Sequence, residues 1–155
     1  MRLHVRRRIA ASLVCAMLAA GCASPVTPDE LELRLEEAAA SAPDPRAARQ
    51  IFPVHAPTRV AALSLLSEAK SDPRSPLSLQ LGRRFATAAG RRTNLVVGGP
   101  YADLCDQIVR NAFALNRKRA LRGLTVIFVA PEPPSEALRV AAATVRARLQ
   151  HRPLR

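Results

Sequence analysis

Apolar positions along this chain fall into short runs separated by glycine, proline and clustered charge. Their spacing alternates between the period of a strand and that of a helix. The clearest run is Leu124 to Val129, continuous, rich in β-branched and aromatic residues, and bounded by Gly123 and Pro131. That pattern predicts a buried strand. Thr93 to Val97 predicts a second strand, ended by Gly98-Gly99-Pro100. Between them, Leu104, Ile108, Ala112 and Leu115 keep helical spacing in a segment from Tyr101 to about Leu121. Leu77, Leu81, Phe85 and Ala88 predict an earlier helix from Leu77 to Ala89, with Gly90 as its stop. Ser135 caps a last helix whose Leu138, Ala142, Val145 and Leu149 share one face. Arg59 to Leu66 fits a buried strand, although Val60, Leu63 and Leu66 also suit a helix. Strand and helix thus alternate three times, the pattern of a parallel sheet with helical crossovers. Continuous apolar strands agree, because parallel strands are covered on both faces. The expectation is an α/β domain over residues 58–152, with a small, three-stranded, mainly parallel sheet and covering helices.

Upstream, Thr27-Pro28-Asp29-Glu30 reads as a helix start, with Thr27 as cap, Pro28 at the first position and Glu30 completing a capping box. Leu31, Leu35, Ala38 and Ala39 form one face. Leu31, Leu33 and Leu35 also alternate as a strand would, but the cap and the Ala-rich continuation favour helix. Ala42-Pro43-Asp44-Pro45 ends it. From Arg46 to Pro57, prolines break any long element; Ile51-Phe52 and Val54 fit at most a short edge strand, since Pro53 has no N–H to donate. Residues 22–57 therefore read as a lipid anchor, an acidic helical tether and a proline-rich linker.

The first residues carry a different signal. Arg2, Arg6, Arg7 and Arg8 precede an apolar run from Ile9 to Ala20, which falls short of the roughly 20 residues a membrane-spanning helix needs. Cations before such a run and small residues after it make a secretory signal, residues 1–21. Its end, Leu18-Ala19-Ala20-Gly21-Cys22, resembles the lipobox of bacterial lipoproteins. The departure is Ala19, where leucine is usual; Leu18 sits one place further out. The resemblance implies cleavage between Gly21 and Cys22, a lipid on the Cys22 thiol, and attachment to the membrane through it. With Ala23 rather than aspartate after Cys22, it implies the periplasmic face of the outer membrane. The spacer and Leu- and Ala-rich helix that follow resemble the leading segment of lipoproteins in type IVB secretion systems. The resemblance ends there, because the second strand hairpin of their ring-building fold is not in this pattern.

Charge changes the picture more than composition does. The chain holds 24 Lys or Arg against 12 Asp or Glu, a net charge of +12. Asp29, Glu30, Glu32, Glu36, Glu37 and Asp44 face only Arg34 in residues 23–45, so the tether is acidic and the rest strongly cationic. Arg117, Lys118, Arg119 and Arg122 crowd the end of the long helix, where cations suit the dipole. Arg139 and Arg146 share one side of the last helix, and Arg83-Arg84 and Arg91-Arg92 lie near helix ends. Such surfaces favour anionic partners. Outside the cytoplasm, nucleic acid is the least expected of them. Aromatics are only 3% of the residues, which disfavours stacking platforms.

Motifs for chemistry are weak. The Gly98-Gly99-Pro100 turn has neither GxGxxG spacing nor a Walker lysine. Cys105 sits in an apolar helix face, and no Gly-x-Ser-x-Gly elbow exists. His55 and His151 have no partners at metal-ligand spacing. Asp103 and Asp106, three apart, fit a helix N-terminus better than an acid–base pair. No catalytic residue, metal or cofactor is expected. The functional expectation is a lipid-anchored, non-catalytic scaffold or assembly component that docks onto a secretion, conjugation or pilus apparatus. The alternative is a periplasmic module binding an anionic small molecule or polymer. Candidate contacts are Arg117, Lys118, Arg119, Arg122, Arg139 and Arg146.

Overall fold

Four segments pair side by side in chain order into one all-parallel sheet: β1 (Ala48–Pro53), β2 (Thr93–Gly98), β3 (Leu124–Ala130) and β4 (Arg148–Pro153). The computed structural model describes residues 26–155; residues 1–21, expected to be a signal peptide, with Gly21 at their end, and Cys22 lie outside the described residues. The central strands β2 and β3 are buried along their whole length, whereas the edge strands β1 and β4 are half exposed. The helices are α1 (Pro28–Ala40), α2 (Arg59–Ser71), α3 (Pro76–Ala88), α4 (Ala102–Leu115) and α5 (Glu136–Thr144). The α/β class and the parallel sheet stand, with four strands where three were expected.

Three segments account for the difference. Residues 59–66 belong to α2, not to a strand. Thr58 caps it, its Oγ1 accepting from Ala61 N at 3.1 Å. Val60 is 77% exposed, which a buried strand would not allow, and the Ala- and Leu-rich run prefers helix. β1 lies in the expected linker and takes in Ile51-Phe52, the piece that fitted a short edge strand, while β4 takes Leu149, assigned to the last helix. That helix stops at Thr144 because Arg146 turns left-handed (φ 59°), with Ala147 N donating to Ala142 O at 3.0 Å. Leu149 sits eleven residues after Leu138, a helical interval, but it also alternates with Arg148 and Gln150 as a strand residue must.

Strand alternation sends side chains to two cores. Leu95, Val97, Val126 and Phe128 face one layer, packed under α2 to α5 with Leu81, Phe85, Ile108 and Phe113. Phe85 and Phe113 lie 4.8 Å apart between ring centroids. Val96, Ile127 and Val129 face the other layer, against Leu31, Leu35 and Ala39 of α1. The stretch expected to be a tether is therefore a packed helix. Leu31 is fully buried, so Leu31→Ala is expected to lower stability by about 2–4 kcal/mol, measured by urea denaturation. A tether free of the sheet would leave the midpoint unchanged. No helix among the described residues is long and apolar enough to cross a membrane.

Candidate functional site: a cationic strand edge

Parallel sheets usually hold ligands beyond the C-terminal ends of their strands. Here that edge is knitted together. Val54 N donates to Gly98 O at 2.8 Å, and Gly99 N donates to Val129 O at 3.0 Å. A Cβ at Gly98 or Gly99 would lie 2.0 Å from the carbonyl oxygen of Val129 or Val54. These glycines allow three strand ends to close on one another, and the Gly99 N–H is engaged rather than offered to a phosphate.

Of the carboxylates nearby, Asp106 is similarly committed, while Glu132 is exposed. Asp106 accepts from Ser135 N at 2.8 Å and from Ser135 Oγ at 2.9 Å, and its Oδ2 lies 2.9 Å from Arg110 Nε. Ser135 Oγ in turn accepts from Leu138 N at 3.1 Å as the cap of α5. Asp106 thus ties the start of α5 to α4. Asp103 is exposed and 3.6 Å from Arg59. His151 lies in β4, with Nε2 3.1 Å from Ala130 O. His55 lies in the loop after β1. No group of three metal-ligating side chains occurs among the described residues.

Cys105 is fully buried. Burial pushes its thiol far above the usual range, and the neighbouring Asp106 charge adds to the shift. A thiol held protonated is a poor nucleophile. The raised value favours the fold below the ordinary thiol range, and that contribution fades as pH climbs above it. Iodoacetamide should leave Cys105 unlabelled in the native protein at neutral pH and modify it in guanidinium chloride. Peptide mass spectrometry reads both, and native labelling would show an accessible thiolate.

The opposite edge is different. Every strand is in register with its neighbours, so the four strand starts lie along one line. Arg46 and Arg49 flank the start of β1, and Arg91 and Arg92 precede β2. Arg117, Lys118, Arg119 and Arg122 fill the loop into β3, and Arg146 and Arg148 open β4. All ten are exposed. The sole acid in the loops leading into these strands is Asp44, 3.9 Å from Arg92. Helices α3, α4 and α5 each deliver the chain to this edge, so their C-terminal dipoles favour some of these cations. That effect fades within a turn and leaves most of the positive field unneutralised.

The structure brings together five of the six cations singled out in the sequence: Arg117, Lys118, Arg119, Arg122 and Arg146. Arg139 is elsewhere, in the first half of α5 and 3.5 Å from Glu136. It does not share a helix face with Arg146, which lies beyond the helix in the left-handed turn. Arg46, Arg49 and Arg148 join the group unforeseen. Their signal was an arginine at the start of each strand, which becomes legible once β1 and β4 are recognised.

A cleft of about 410 Å³ opens at this edge, under the loop between α1 and β1, lined by residues that include Asp44, Arg92, Asn94, Thr125 and Arg148. Its floor follows from register. Asn94, Thr125 and Arg148 are cross-strand partners and form one polar row on the face that α1 covers further along. No protein family, known protein or solved structure matched this chain in comparison.

Proposed function

We propose that this chain is a lipid-anchored, non-catalytic envelope component that docks through its cationic strand edge onto an acidic surface of a protein partner. It would act as a scaffold or assembly piece of a larger secretion, conjugation or pilus apparatus. The observation that carries the docking is the line of ten exposed cations with Asp44 as their one acidic neighbour in the strand-leading loops. The commitment of Asp106 and Cys105 to structural contacts supports a non-catalytic role. Anchoring at Cys22 on the periplasmic face of the outer membrane rests on the lipobox resemblance.

Two measurements test the reading. Metabolic palmitate labelling should disappear in Cys22→Ala, with the protein leaving the membrane fraction; unchanged labelling overturns the anchor. A photo-crosslinking residue at position 119 should capture an envelope protein in cells, while one at position 139 should not. Equal capture from both positions contradicts docking through the edge.

A further inference from the structure

Within the cleft, Asn94 is 1% exposed. Its Nδ2 donates to Asp44 O at 2.7 Å. That bond fixes the amide orientation, because a flip would set two oxygens against each other. Oδ1 is consequently the buried atom left without a donor, an unsatisfied state that costs free energy. Arg92 and Arg148 stand on the lining with exposed guanidiniums, and Thr125 adds a hydroxyl-bearing side chain to the floor. An occupant that suits this lining carries a negative charge for the arginines and an N–H or O–H for Asn94.

We infer that the cleft seats an acidic side chain on an extended segment of a protein partner. The carboxylate lies between Arg92 and Arg148, and a main-chain N–H of the same segment supplies the donor that Asn94 Oδ1 lacks. The inference rests on the docking reading above and gives it a defined subsite. Two features favour a carboxylate peptide over a phosphorylated ligand. Asp44 stands in the wall, 3.9 Å from Arg92, and repels a phosphate of nearly two charges more than a carboxylate of one. None of the described residues lining the cleft is aromatic, so a nucleotide ring would find no stacking face.

The test uses the full chain in neutral detergent micelles and a fluorescently labelled hexaglutamate peptide, read by anisotropy. Arg92→Gln with Arg148→Gln should weaken binding by about tenfold or more, because the pair touches the carboxylate directly. Arg117→Gln with Arg119→Gln removes the same charge outside the cleft and should weaken it by only about two- to threefold, as expected for a screened field. Asn94→Leu should weaken hexaglutamate but not polyacrylate, which carries carboxylates and no N–H groups. Should Asn94→Leu fail to fold by circular dichroism, the two exposed arginine pairs still decide. Equal losses from both arginine pairs overturn the cleft while leaving the edge reading intact. A wild type that does not bind hexaglutamate even at low salt overturns the edge reading as well. Stronger displacement of the peptide by inorganic phosphate assigns the cleft to a phosphate ligand, and stronger displacement by phosphatidylglycerol mixed into the micelles assigns the edge to a membrane; either result overturns the inference.

Discussion

Val126→Asp is expected to abolish folding. Val126 lies in the middle of β3, paired with Leu95 on one side and Leu149 on the other, and is fully buried against the helices of the larger core. A carboxylate there has no partner, and burying a charge without one costs several kcal/mol. That is comparable to the whole stability of a domain this size, about 5–15 kcal/mol. Circular dichroism should show loss of cooperative melting. A melting temperature equal to that of wild type would contradict the placement of β3 at the centre of the sheet.

The second largest effect is expected at a polar residue. Asp106→Ala removes the acceptor for Ser135 N and Oγ and strips Arg110 of its ion-pair partner. The Asp106 side chain is only 13% exposed, so the groups left behind are poorly hydrated. Breaking such a tie costs about 2–4 kcal/mol. Native hydrogen exchange should show the loss concentrated at α5, whose cap it holds, and urea denaturation should show a lowered midpoint. The exposed Asp103 provides the contrast: Asp103→Ala is expected to change stability by no more than about 1 kcal/mol. Equal destabilisation by the two variants would mean that Asp106 merely decorates the helix start.

How much of this was legible in the sequence follows from which interactions each segment makes. β2 and β3 are covered on both faces, so their continuous apolar runs and flanking glycines announced them, and α3 with its stop was equally plain. α4 was plain in its inward face but ends at Leu115, short of the expected Leu121, so that Arg117 to Arg122 lie in a loop and not at a helix end. The edge strands were not plain, beyond the short extended piece that Ile51-Phe52 offered within β1. β1 reads Ala-Arg-Gln-Ile-Phe-Pro and β4 reads Arg-Leu-Gln-His-Arg-Pro, polar sequences ending in proline that become strands because a finished sheet offers them a partner. The failure at β4 had a specific cause, since Leu149 fits both a helical interval from Leu138 and the inner face of a strand. Residues 59–66 were misread because the run is apolar on both sides: Ala62 and Leu66 face the core while Val60 and Leu63 face solvent, so hydrophobicity marks no period there. The cationic edge was partly visible. The loop cluster at Arg117 to Arg122 stood out in the chain, but Arg46, Arg49 and Arg148 could be added only with the topology in hand. The unsatisfied Oδ1 of Asn94 had no sequence signal, because it arises from the single orientation imposed by Asp44 O.

The central claim is that the strand edge, and not the cationic charge of the chain as a whole, recognises an acidic protein surface. The most direct test compares two variants of the full chain in capture of the crosslinked partner from solubilised envelopes. One carries Arg117, Lys118, Arg119 and Arg122 all replaced by glutamine; the other carries Arg59, Lys70, Arg74 and Arg139 replaced likewise, removing equal charge away from the edge. Capture by wild type should fall steeply as salt rises past the point where the Debye length shrinks to about 8 Å. The account predicts that the edge variant loses capture at physiological salt while the other retains it with the wild-type salt dependence. Equal retention or equal loss in the two variants would contradict it.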